Sequence, residues 1–187
     1  MEAALEIIMG NNSYRVIDLC TGSGAVAISL KNEMPSLEVW ASDISEEALE
    51  TAKKNAAFLL PAGSIQFLKG DLYNALPAPC SPLPTPSFNL IVCNPPYIPS
   101  DEMQSLPAEV QNEPRLALDG GAQGLAIIKR VIDGSVEKLM RGGVLLMEAD
   151  PRQMEKIAIL LEKRGFSNVK LYNDLSGKER VIGGIRE

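Results

Sequence analysis

Asn94-Pro95-Pro96-Tyr97 is the stretch of this chain best equipped for chemistry. It follows the apolar run Asn89-Leu90-Ile91-Val92-Cys93, which reads as a buried parallel strand. Two consecutive prolines remove two backbone donors and hold the chain extended, so neither a helix nor a strand ladder continues through them. The strand therefore stops at Asn94, and the Asn94 side-chain amide and the carbonyls of Asn94 and Pro95 are left without a structural partner. An amide oxygen and a carbonyl together can accept both N–H bonds of a flat –NH2 group, and Tyr97 can cover that group's face. Asn-Pro alone would be a strand-ending turn. All four residues directly after an apolar strand form a more specific pattern, fitted to a planar amide or exocyclic amine.

A second set of residues suits a ligand with a ribose. Asp18-Leu19-Cys20-Thr21-Gly22-Ser23-Gly24 places an acid at the end of a strand and glycines in the turn that follows, where a ligand can approach the backbone. Gly22-x-Gly24-x-x-Ala27 nominally fits the dinucleotide fingerprint, a weak pattern by itself. Asp43, with Ile44 beside it, lies about twenty residues further on, where an acid can bond ribose hydroxyls. Asp71 and Leu72 end a third strand in the same manner. Asp18 separates two cofactor classes: its carboxylate would repel a pyrophosphate, as in NAD, and suits the ammonium of S-adenosylmethionine (AdoMet).

The elements that must position these groups can be read along the chain. Met1 to Met9 has helical spacing and is expected to end near Gly10. Strands are expected at Arg15 to Leu19, Leu37 to Ala41, Ile65 to Leu68 and Asn89 to Cys93. Helices are expected from Ala25, from Glu46 behind the N-cap Ser45, over Leu125 to Met140 and over Arg152 to Lys163. Gly142-Gly143 is expected to break the third of these before a strand at Val144 to Met147. Val169 to Tyr172 and Arg180 to Ile185 read as an antiparallel hairpin. Strands alternating with helices imply a doubly wound, mostly parallel sheet whose ligands lie beyond the strands' carboxyl ends. Asp18, Asp43, Asp71 and Asn94 all stand at such ends and point to one shared crevice. The proline-rich stretch 78–87 reads as a surface loop, and Ile98 to Gly124 as a long irregular loop poised as a lid or acceptor platform.

Composition narrows the chemistry. The chain has 187 residues, 45% of them hydrophobic, which suits one domain over 1–187 with a sizeable core. Histidine is absent, which excludes a histidine general base and Ser/His or Cys/His dyads. Cys20, Cys80 and Cys93 lack metal-ligand spacing, and no metal site is expected. They fit a reducing cytoplasm. A net charge of −6 disfavours a nucleic-acid footprint. No apolar run is long enough for a membrane span.

Taken together, Asp18-Leu19-Cys20-Thr21-Gly22-Ser23-Gly24, Ser42-Asp43-Ile44-Ser45, Gly70-Asp71-Leu72 and Asn94-Pro95-Pro96-Tyr97-Ile98 resemble the release-factor glutamine methyltransferase family (HemK/PrmC). Glu113-Pro114, Ala117-Leu118, Gly120-Gly121, Gly124-Leu125 and Gly177-Lys178-Glu179-Arg180-Val181 extend the resemblance over nearly the whole chain. It implies a class I AdoMet-dependent methyltransferase (Rossmann-like) α/β fold, with a seven-stranded, mostly parallel sheet and an antiparallel C-terminal strand. It also implies AdoMet as cofactor, S-adenosylhomocysteine as product, and N5 of the glutamine in the Gly-Gly-Gln loop of a peptide chain release factor as acceptor. Asp18, Cys20, Thr21, Gly22, Ser23, Gly24, Asp43, Ile44, Asp71, Leu72 and Asn94 are the expected cofactor residues, and Asn94, Pro95, Pro96 and Tyr97 the catalytic set. A monomer is expected, without the N-terminal helical substrate-binding domain usual in that family. Cys20, where many such enzymes have glycine, and Leu72, where some have an aromatic, depart from the common pattern. Adenine-N6 methylation of nucleic acid, glutamine methylation of a ribosomal protein, a non-catalytic AdoMet-binding subunit and an NAD oxidoreductase remain as alternatives at this point.

Overall fold

A computed structural model describes residues 2–8, 14–77 and 87–187. The expected helix end at Gly10 and nearly all of the proline-rich stretch, with Cys80, lie outside the described residues. Among the described residues seven strands form one sheet in the order β3-β2-β1-β4-β5-β7-β6. They are β1 (Arg15–Leu19), β2 (Glu38–Asp43), β3 (Ile65–Lys69), β4 (Phe88–Cys93), β5 (Leu139–Glu148), β6 (Phe166–Asn173) and β7 (Glu179–Arg186). The first five run parallel, while β7 is antiparallel to both of its neighbours, as expected.

The order reverses between β1 and β4, whose residues Leu19 and Cys93 are paired at the carboxyl ends. Asp18 and Asn94 therefore flank the topological switch point, where open α/β sheets take their ligands. Both strands are apolar on both faces because helices cover each side: Val16, Ile17, Leu19, Leu90 and Ile91 are fully buried. On one face lie α1 (Glu2–Ile8) and α2 (Ala25–Glu33), packed through Ala3, Ala4, Ile8, Ala27 and Leu30. On the other lie α6 (Ala126–Lys138) and α7 (Met154–Lys163), packed through Ile128, Val131, Ile132, Met154 and Ile157. Burying each of the larger side chains contributes about 1.5–3 kcal/mol. α3 (Glu46–Leu59) starts as the sequence predicts: the Ser45 hydroxyl accepts from Ala48 N at 3.2 Å, and Glu46 and Glu47 occupy the positive end of the helix. No helix among the described residues is long and apolar enough to cross a membrane.

Several boundaries shift by one to three residues, as where β2 runs on to Asp43 and β6 begins at Phe166, and the break after α6 differs in kind. The helix ends at Lys138, and Gly142-Gly143 fall inside β5 instead of ending the helix. Phe88 pairs with Leu139 and Leu90 with Val144, so two steps along β4 match five along β5 and residues 140–143 bulge out. Gly142 takes φ +76° in that bulge, which explains the glycine without a helix stop.

The segment expected as one irregular loop holds four short helical turns: 3-10 turns at Met103–Ser105 and Ala122–Gly124, and between them α4 (Ala108–Gln111) and α5 (Arg115–Leu118), which start behind Pro107 and Pro114. It returns to run beside its own start. Ile98 N donates to Leu118 O at 3.0 Å, and Gly120 N donates to Ile98 O at 2.8 Å. Asp119 secures the return by accepting from the Ser100 hydroxyl at 2.6 Å, Gly121 N at 3.0 Å and the Arg115 guanidinium at 2.9 Å. Those bonds hold its carboxyl at about 2, below the ordinary aspartate value.

Candidate active site

The glycine turn after β1 is built around Asp18, which is 2% exposed. Its Oδ2 accepts from the Thr21 hydroxyl at 2.6 Å and from Ala27 N in the first turn of α2 at 3.2 Å. Gly24, at φ +82°, starts α2, and a Cβ there would stand 3.0 Å from Ala52 Cβ and Ile28 Cδ1, so glycine lets α2 and α3 close together. Burial raises the Asp18 carboxyl to about 7, against the two hydrogen bonds that favour its anion. The folded chain thus keeps a proton on Asp18 between about pH 4 and 7 that the unfolded chain has released. Stability is expected to fall as pH rises through that window, by up to about 4 kcal/mol at 1.36 kcal/mol per pH unit. Asp18→Asn should flatten this slope in urea melts between pH 4 and 7; an unchanged slope would mean that Asp18 is ionised throughout.

At the end of β2, Asp43 is tied to the same turn. Its Oδ2 accepts from Gly22 N at 2.9 Å and its Oδ1 from Ser45 N at 2.9 Å. An ionised carboxylate has about four acceptor positions, so two remain for ligand hydroxyls. Asp43 lines a crevice with Cys20, Gly22, Ile44, Asp71, Leu72, Asn94 and Pro96. Counted out to its open mouth, the crevice encloses about 940 Å³, room for a nucleoside-sized ligand. Cys20 and Leu72 take φ +56° and +50°, left-handed backbone that is costly for such side chains, and both line the crevice.

Its far wall comes from segments to which the sequence assigns no cofactor contact. Pro114, Leu116 and Ala117 come from the segment read only as a lid or platform, and Ile127 and Arg130 from α6. The Arg130 guanidinium donates to Asp71 Oδ2 at 2.7 Å, bracing the mouth. Pro114 and Ala117 belong to a motif already quoted for the resemblance. Arg130 and Asp71 lie 59 residues apart, a pairing with no local signal.

Asn94 stands where two spaces meet. It lines the crevice and also a smaller apolar cavity formed with Ala3, Asp18, Val92, Met147 and Glu148. Asn94 is exposed while Pro95 behind it is buried. No described residue hydrogen-bonds the Asn94 side chain or the carbonyls of Asn94 and Pro95. Tyr97 is half-buried, its hydroxyl donating to Glu148 Oε1 at 3.2 Å. Burial and the neighbouring Glu148 raise the Tyr97 pKa, so the phenol stays neutral.

The structure thus brings Cys20, Gly22, Asp43, Ile44, Asp71, Leu72, Asn94 and Pro96 onto one crevice. Asp18 faces the smaller cavity instead. Thr21, Ser23 and Gly24 serve the turn itself: Thr21 holds Asp18, and the Ser23 carbonyl accepts from Asn55 Nδ2 at 2.9 Å. Pro95 and Tyr97 back the motif without lining the crevice.

Residues 2–111 match the family model described as the methyltransferase small domain. The chain belongs to that family. It is similar to the release factor glutamine methyltransferase of Deinococcus radiodurans, with 37% identity covering 100% of this chain and 63% of the relative. It is also similar to that of Bordetella pertussis, with 39% identity over 98% of this chain and 65% of the relative. The chain therefore spans a little under two thirds of the length of these curated relatives. Among solved structures, a methyltransferase from Pyrococcus furiosus superposes with a TM-score of 0.66 at 14% identity, covering 99% of this chain and 82% of that one. The T. thermophilus 16S rRNA methyltransferase RsmC, in complex with AdoMet and guanosine, superposes at 0.67 with 20% identity, covering 100% and 41%. At such identities the likeness shows the fold, that of class I methyltransferases.

Proposed function

We propose that this chain is the catalytic domain of an enzyme that methylates the side-chain amide nitrogen of a glutamine, with AdoMet as donor. The acceptor is the Gly-Gly-Gln glutamine of a peptide chain release factor, met in the cytoplasm by a monomeric enzyme. One observation carries this reading: Asn94 presents an unpartnered amide at the junction of two cavities, behind a buried proline whose carbonyl is also free. The names of the similar proteins support the choice of acceptor.

The residues fit AdoMet. The adenosine has the crevice, where Asp43 keeps acceptor positions for ribose hydroxyls and Ile44 and Leu72 offer apolar surface to a base. No described atom outside the neighbouring residues lies within 4 Å of where a Cβ on Gly22 would stand, so the turn leaves open space for a ligand. Asp18, facing the smaller cavity, suits the ammonium of the methionine end, a cation beside it favouring loss of the proton that burial retains. Bound there, AdoMet would supply an electrophilic methyl group and depart as a neutral thioether, S-adenosylhomocysteine, with no acid required.

An amide nitrogen is a poor nucleophile because its lone pair is delocalised into the carbonyl. The Asn94 oxygen and the Pro95 carbonyl would accept its two N–H bonds, fixing its direction and raising electron density on nitrogen. Orientation is the larger lever, with about 7–11 kcal/mol available from a near-attack arrangement. The methylated amide would release a proton to water, which suits a chain without histidine.

Thermal shift tests the cofactor. AdoMet at 100 times its dissociation constant is expected to stabilise the fold by about 2.7 kcal/mol, and Asp43→Ala to weaken that effect. Stabilisation by NAD and none by AdoMet would refute the assignment.

A further inference from the structure

Gln153 lines neither cavity, yet its buried side-chain amide joins three separate segments. Its Nε2 donates to Tyr97 O and to Gln123 O, each at 2.9 Å, and its Oε1 accepts from Asp150 N at 3.1 Å. Two carbonyls on one side and an N–H on the other fix which end of the amide is nitrogen, and both donors are used. The three partners belong to the Asn94–Tyr97 motif, the glycine segment 120–124 and the turn after β5.

The surrounding backbone is shaped to that amide. Gln123 takes φ +56° and Gly124 φ +66°; a Cβ on Gly124 would fall on the Tyr97 carbonyl oxygen and beside Gln153 Nε2. A Cβ on Gly120 would stand 2.7 Å from both Pro96 O and Tyr97 Cα. The glycine segment therefore lies directly against the motif backbone, and Gln153 is the bridge between them. Pro95 and Pro96 have fixed φ, and Gly120 lies against Pro96 O and Tyr97 Cα, so the backbone between the Tyr97 carbonyl and the Pro95 carbonyl has limited room to rotate.

We propose that Gln153 is a positioning residue for the acceptor pocket: without touching a reactant, it sets the orientation of the Asn94 side chain and Pro95 carbonyl by gripping Tyr97. This rests on the glutamine-methylation reading above. Gln153 also completes a capping box with Asp150, so a merely structural role as a helix cap is the competing account.

Three variants separate the two. Gln153→Glu keeps the acceptor for Asp150 N, since glutamate suits the third position of a capping box, but loses both donors to Tyr97 and Gln123. Gln153→Met fills a similar volume with neither donors nor charge. Asp150→Ala breaks the side-chain half of the cap and leaves the grip on Tyr97 intact. Both Gln153 variants are expected to lower kcat on a Gly-Gly-Gln peptide at least tenfold, with AdoMet affinity within twofold of wild type, since small misplacements at a reacting centre cost up to about a hundredfold. Asp150→Ala should lower the melting temperature and keep kcat within twofold. Amide exchange at Ile98 and Gly120 should quicken in the Gln153 variants and not in Asp150→Ala. The inference is overturned if both Gln153 variants keep kcat within twofold, or if Asp150→Ala loses as much as they do. If the wild type methylates no glutamine, the acceptor reading fails on its own; exchange at Ile98 and Gly120 then decides, and equal rates in all variants overturn the grip.

Discussion

Asn94→Ala is expected to lower methyl transfer about 10²–10³-fold while leaving AdoMet affinity nearly unchanged. The side chain is exposed at the meeting of the two cavities and holds nothing else in the described fold, so its removal costs little stability. On the proposed reading, what is lost is one of two acceptors that orient the amide. By analogy with the loss of one positioned donor at an oxyanion, the barrier should rise by about 2.7–4 kcal/mol. Because the proposed contact is to the acceptor, the cofactor's adenosine would keep Asp43 and its apolar walls. Single-turnover rates beside calorimetric AdoMet titration separate the two quantities. A variant transferring at near wild-type rate would show that Asn94 does not hold the acceptor.

Gly124→Ala is expected to be among the most damaging single-methyl changes in the chain. Two costs add there. The left-handed backbone at φ +66° disfavours alanine by about 1–2 kcal/mol, and the new methyl would occupy the place of the Tyr97 carbonyl oxygen, an overpacking cost of about 1–3 kcal/mol. Backbone on both sides can yield only by moving the motif that carries Asn94. For a chain of this size the sum corresponds to a drop in melting temperature of roughly 10 °C, with transfer lost along with it. Gly177→Ala is the matched control: φ is +81° there, but no atom outside the neighbouring residues lies within 4 Å of the added Cβ. It should show the backbone cost alone and retain transfer. Equal destabilisation by the two changes would mean that the contact with Tyr97 is slack.

The difference between those two glycines shows what the sequence can and cannot disclose. Gly22 and Gly24 are legible because their cause is local: a turn between an apolar strand and a helix, with an acid just before it. Ser45 is legible as an N-cap for the same reason, and β1 and β4 as short apolar runs buried on both faces. Gly142-Gly143 misleads because a bulge and a helix stop draw on the same backbone freedom, and only the pairing of β4 with β5 tells them apart. Gly120 and Gly124 can be quoted as a motif, but their reason lies in a backbone over twenty residues earlier. Arg130 carries no local signal, since an arginine within a helix is ordinary and its partner lies 59 residues away. The local signal at Gln153 is a capping box with Asp150 and says nothing of its bond to Tyr97, 56 residues away. The sequence places four polar residues at strand ends and implies one shared crevice. Three of them line it, and Asp18 faces the adjoining cavity beneath the turn, because its neighbours Thr21 and Ala27 draw the carboxylate inward.

The most direct test of the central claim is to incubate this chain with methyl-labelled AdoMet and, in parallel, with a release factor, a release factor whose Gly-Gly-Gln glutamine is replaced by alanine, and adenine-containing DNA. The account predicts one methyl group on the Gly-Gly-Gln glutamine, located by fragmentation of the peptide, and none on the alanine variant or the DNA. Label on adenine, or no label on glutamine from a chain that binds AdoMet, would contradict it.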